Sequence, residues 1–120
     1  MLHKKLQSIQ AFVAGDKTLL KEVLNPSDIE TNLRYSLAHA VVKPGQTTLL
    51  HRLKSSETYY ILSGEGEVTI NGEKQELGAN ELVYIPPLAA QCIKNIGTDD
   101  LVILCICDPA WRAEDEIVEA

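Results

Sequence analysis

Residues 45–64 read GQTTLLHRLKSSETYYILSG, and this stretch decides how the rest of the chain is read. Residues 47–53 and 57–63 suit strands. Strand side chains alternate between faces, so Thr47, Leu49, His51 and Leu53 share one face. Glu57, Tyr59 and Ile61 share a face of the next strand. A hairpin around Lys54, Ser55 and Ser56 is expected to set His51 and Glu57 side by side. An imidazole and a carboxylate converging from neighbouring strands make half of a transition-metal site. The plainer alternative is a buried hydrogen-bonded pair that closes a pocket without an ion. The residue types alone leave both open.

Around this stretch the punctuation is that of an all-β chain. Pro44-Gly45 suits a type II turn, and Asn71-Gly72 suits a two-residue type I′ hairpin. Further strands are expected over 35–42, 67–70, 81–85, 91–95 and 101–107, with Gly, Pro and Asp clusters between them. Residues 18–24 read as a strand or a short amphipathic helix, and the strand is preferred because everything after them is β. Residues 1–10 read as an arm or an edge strand. The whole is one domain of 120 residues, long enough for its own core.

A second stretch, residues 78–95, reads GANELVYIPPLAAQCIKN. Gly45, His51, Glu57 and Gly64, followed by Gly78, Pro86 and Asn95, resemble the two motifs of the cupin family in order and spacing. Leu53 stands at the position of the family's second histidine, Leu88 at its turn glycine and Gln91 at its third histidine. The resemblance covers roughly residues 36–110. It implies an all-β double-stranded β-helix, a jelly-roll cupin barrel. Its core would be 35–110, with N-terminal strands or an arm over 1–34 and an acidic tail over 111–120. It also implies a small-molecule pocket holding one divalent transition metal (Fe, Mn, Ni or Zn), with dioxygenase, isomerase or decarboxylase chemistry. The alternative is a non-enzymatic binding or interaction cupin with a degenerate metal site.

The metal ligands expected on this basis are His51, Glu57, Gln91 and His39. Gln91 offers a neutral amide oxygen, and its plainer role is a hydrogen-bonding pocket group. In the strand over 35–42 the odd residues Tyr35, Leu37, His39 and Val41 are bulkier than Ser36, Ala38, Ala40 and Val42. The odd set is therefore expected inside, which would aim His39 at the cavity; the plainer role is a core histidine. Tyr59, Leu53 and Tyr84 are expected on the pocket wall, and Trp111 over one end of the barrel. Cys105 and Cys107 share a strand face and read as small buried residues.

Composition narrows the partners. The net charge is −6 without a basic cluster, which argues against nonspecific nucleic-acid binding. No apolar run reaches the length of a membrane-spanning helix. Three cysteines without a C-x-x-C pair suggest a reducing, cytoplasmic setting. Both faces of 101–107 are apolar, with Leu101, Ile103 and Cys105 on one and Val102, Leu104 and Ile106 on the other. A strand apolar on both faces needs cover on both, one from the core and the other from the N-terminal segment or a second subunit, and a homodimer is expected.

Overall fold

A computed structural model of the chain describes residues 1–28 and 32–119. Residues 29–31, within the expected N-terminal part, and Ala120, the end of the expected tail, lie outside the described residues. Eleven strands follow in order: β1 (Phe12–Val13), β2 (Leu19–Leu24), β3 (Ser36–Val42), β4 (His51–Leu53), β5 (Ser56–Ser63), β6 (Gly66–Ile70), β7 (Glu73–Leu77), β8 (Leu82–Ile85), β9 (Gln91–Asn95), β10 (Leu101–Asp108) and β11 (Glu116–Val118). They make two antiparallel sheets, one ordered β1-β2-β3-β10-β5-β8 and the other β11-β4-β9-β6-β7. Among the described residues no ladder joins the two sheets, so the barrel expected from the sequence is a two-layer jelly-roll-like sandwich.

The core is the space between the layers. Ile61, Ile103 and Leu101 project from the first sheet, and Val68 and Ile93 from the second, all with essentially no exposed surface. The turns behave as their residues demand. Asn71 and Gly72 both have positive φ, at 49° and 84°, as a type I′ hairpin between β6 and β7 requires. Gly64, at φ 89°, packs so closely that a Cβ there would sit 2.6 Å from the Asp100 carbonyl oxygen. Buried Asn95 ties the next turn down, donating to the Val42 and Asp99 carbonyls, each at 2.8 Å, and accepting from the Gly97 amide at 2.9 Å.

Two expectations are corrected. β4 and β5 do not form a hairpin: they belong to different sheets, and the chain turns a corner between them. The Ser55 hydroxyl, donating to the Pro109 carbonyl at 2.6 Å, pins that corner to the chain leaving β10. In β3 the even residues face inward, with Ser36, Ala40 and Val42 buried. Bulk misled the reading there, because the small residues Ser36, Ala38 and Ala40 border a cavity between the sheets. Of the two readings of residues 1–10, the arm is the one that matches, with a short 3-10 turn over Leu6–Ser8. The acidic tail contributes β11 to the edge of the second sheet beside β4.

Candidate functional site

His51 opens β4 and stands directly opposite Gln91 of β9. Its Nδ1 lies 2.8 Å from the Leu49 carbonyl oxygen. A carbonyl can only accept, so Nδ1 carries the proton and, in the neutral ring, Nε2 presents a lone pair. Nε2 is 3.8 Å from Oδ2 of Asp16. Asp16 comes from the loop between β1 and β2. Its Oδ1 accepts from the Thr18 amide at 3.1 Å and the Thr18 hydroxyl at 2.7 Å. Its own carbonyl accepts from the Leu49 amide at 2.9 Å, which locks this loop to the lead-in of β4.

Glu57 reaches the same space from β5, in the opposite sheet. It is 7% exposed, and its Oε1 has no hydrogen-bond partner among the described residues. The Cys107 thiol donates to its Oε2 at 3.5 Å. Burial pushes the Glu57 carboxyl up from 4.5 to about 7, with His51, Cys107 and Gln91 pulling it partway back. The thiols of Cys105 and Cys107 are raised too, by burial and then by Glu57, so neither is a ready thiolate. Tyr59, also on β5, sends its hydroxyl across the gap to Oε1 of Gln91 at 3.0 Å.

Asp16, Thr18, His51, Glu57, Tyr59 and the two cysteines line a cavity of about 50 Å³ between the sheets. Ala38 and Ala40 form part of its floor. Trp111 and Glu116, from the segment after β10, and Ala14 also line it. The Trp111 indole donates to Glu116 at 3.3 Å, and Phe12 stacks against Trp111 with ring centroids 6.5 Å apart. Burial raises the Glu116 carboxyl, with His51 opposing the shift and Asp16 adding to it.

The sequence-derived residues divide. His51, Glu57, Leu53 and Tyr59 line the cavity, and Gln91 is buried against it through Tyr59. His39 does not join them. It pairs with Leu104 and Lys21 on the outer face of its sheet, where burial and then Lys21 lower its pKa. Tyr84 is also away from the cavity and 56% exposed. Asp16 and Glu116 were not foreseen. The only local signal for Asp16 was its spacing to Thr18, which suits a side-chain-to-backbone turn.

The sequence pattern of the family described as Cupin domain matches residues 38–107. The chain belongs to the cupin family. Among its relatives, an uncharacterised protein of Methanocaldococcus jannaschii (MJ1618) is 38% identical over 99% of this chain and 96% of its own length. The mannose-1-phosphate guanylyltransferase ManC of Salmonella typhimurium is 31% identical over 96% of this chain, which spans only 25% of that enzyme. By fold, this cupin resembles an oxalate decarboxylase variant of Bacillus subtilis at TM-score 0.81 and 18% identity, over 95% of this chain and 31% of that one. It also resembles a cupin 2 conserved barrel domain protein of Salinispora arenicola at TM-score 0.75 and 18% identity, over 95% and 91% of the two chains.

The transition metal that the resemblance implies does not fit the donors of this cupin. Leu53 puts an alkyl chain where the family has an imidazole. The Gln91 oxygen already accepts from Tyr59, and His39 is on the far face of its sheet. Among the described residues, no three His, Cys, Asp or Glu side chains gather to hold a metal ion. A catalytic site needs three protein ligands, and of the four expected only His51 and Glu57 face the cavity as free donors.

Proposed function

We propose that this cupin is a small-molecule-binding domain whose ligand occupies the cavity between His51 and Glu57 without a transition metal. The observation that carries the reading is the buried Glu57 oxygen, left without a partner among the described residues on a side chain that lines the cavity. A buried carboxylate oxygen in that state is costly unless something in the cavity meets it. The metal-dependent alternatives of dioxygenation, isomerisation and decarboxylation rank behind this reading, because the donor set lacks a third ligand.

Size limits what enters. Pockets for drug-sized ligands run to about 300–1,000 Å³, far above the 50 Å³ found here. The ligand is therefore a molecule of a few heavy atoms, or one end of a larger one. The guanylyltransferase relatives are named for a sugar phosphate, but the lining carboxylates of Asp16, Glu22, Glu57 and Glu116 oppose a phosphate in this cavity.

A fragment screen by amide chemical shifts tests the reading, run on the wild type and on Ala38→Phe, which fills the cavity floor. Hits that move the signals of Asp16, His51, Glu57 and Cys105, and lose their effect in Ala38→Phe, are expected. A screen without a single such hit overturns the reading.

A further inference from the structure

We infer that the cavity takes the ammonium head of a small amine. This rests on the reading of the cavity as a ligand site and names the ligand class.

The polar atoms facing the cavity are mostly acceptors, the Ser36 hydroxyl being able to donate as well as accept. Thr18 donates to Asp16, Cys107 to Glu57, Tyr59 to Gln91 and Trp111 to Glu116, so these donors are already spent on protein partners. Left over are Oε1 of Glu57, Oδ2 of Asp16 and the lone pair on Nε2 of His51. An alkylammonium offers three donors and no acceptor, which complements this set atom for atom. A carboxylate or phosphate brings only more acceptors.

Charge points the same way. Asp16, Glu22, Glu57 and Glu116 line the cavity, and among the described residues no lysine or arginine does. Carboxylates by themselves make no site, but Glu57 lines the cavity, is more than nine-tenths buried, and its Oε1 has no partner among the described residues. A cation there gains both the Coulomb attraction and a hydrogen bond to the group that lacks one. Size agrees as well: a water-sized site needs roughly 10–15 Å³ by the same measure, so 50 Å³ holds a methylammonium and a water or two but not a guanidinium with its chain.

The test titrates the intact chain with methylammonium chloride and follows amide chemical shifts at pH 8 and fixed ionic strength. Methanol, formate and tetramethylammonium serve as parallel probes. Methylammonium has two heavy atoms, so its Kd is expected on the order of 10 mM. Saturable shifts should centre on Asp16, His51 and Glu57, and Glu57→Gln should weaken binding at least tenfold. Asp16→Asn, a second variant, should also weaken it. Methanol or formate binding in the cavity as well as methylammonium does would overturn the amine inference while leaving the cavity a ligand site. Equal binding of tetramethylammonium, which has the charge but no N–H donor, would overturn it too. Cavity signals that ignore all four probes would overturn both the inference and the reading beneath it.

Discussion

The Tyr59 hydroxyl donates to the Gln91 amide oxygen at 3.0 Å, and this bond spans the two sheets of the molecule. Both residues are buried, so neither group has water as a substitute partner. The bond also occupies one lone pair of the oxygen that stands at the position of a family histidine.

Tyr59→Phe removes the donor and leaves the Gln91 oxygen buried and unpartnered. The expected cost is about 1–3 kcal/mol, read from denaturant unfolding. Tyr59→Phe combined with Gln91→Leu removes both polar partners and should recover most of that loss. A single variant as stable as the wild type would show that the bond contributes nothing.

Leu53 is buried and lines the cavity, so a histidine placed there would face His51 and Glu57. The double variant Leu53→His, Gln91→His should therefore bind Mn, Ni or Zn at least tenfold more tightly than the wild type. The wild-type melting temperature should respond to neither chelator nor added metal, whereas the variant's should rise with metal. A wild type already stabilised by any of these ions would return the metal reading to first place.

The sequence made the strand positions and turns readable because those signals are local. Asn71-Gly72 needs positive φ at both residues, and both have it. The alternation in β5 predicted its buried set, Glu57-Tyr59-Ile61, and in β10 it separated Leu101-Ile103-Cys105, the buried face, from Val102-Leu104-Ile106 without telling which was inner. Sheet membership was not readable, since alternation around residues 51–57 is the same whether the chain makes a hairpin or crosses between layers. His39 failed for a related reason: side-chain bulk reports what a face packs against only when no cavity intervenes. Asp16 and Glu116 escaped notice because each is brought to His51 by tertiary pairing, one through the amide of Leu49 and the other through the β11–β4 ladder.

Leu88 sits at φ 65°, where the family motif has a glycine. Its backbone is held there by its amide donating to the Leu53 carbonyl at 2.7 Å and its carbonyl accepting from Arg52 at 2.9 Å. The left-handed region costs a residue with a Cβ roughly 1–2 kcal/mol, and glycine gives back about 0.5–1 through its freer unfolded chain. Leu88→Gly should thus stabilise by about 0.5 kcal/mol, measured as a higher urea midpoint at unchanged slope. A lower midpoint would mean the leucine side chain is packing against something that outweighs its strain.

The outer face of the first sheet carries Val102, Leu104 and Ile106 beside Leu37, His39 and Val41 of β3 and Tyr60 of β5. Farther along it, Leu82 and Tyr84 are 60% and 56% exposed. A face this apolar is expected to meet the same face of a second copy, as in an isologous dimer. Light scattering at micromolar concentration should give twice the mass of one chain, and Leu104→Glu should give one. A wild type of single-chain mass sinks the dimer.

Glu57 sets the pH dependence of stability. Its carboxyl is raised from 4.5 to about 7 by burial, so between those values the folded chain holds a proton that the unfolded chain has released. Stability from this group is therefore intact below about pH 4.5, falls as pH rises through the window and levels off above about 7. At about 1.4 kcal/mol per pH unit the full loss is roughly 3 kcal/mol. Glu57→Gln keeps the shape and cannot ionise, so it should be more stable than the wild type at pH 8 by up to that amount. At pH 4.5 the two should be nearly equal, because the wild-type carboxyl is then neutral. Urea unfolding at both pH values checks it. A variant whose advantage does not grow between pH 4.5 and 8 would mean that Glu57 is ionised in the folded chain throughout, with a cation or donor already meeting its free oxygen.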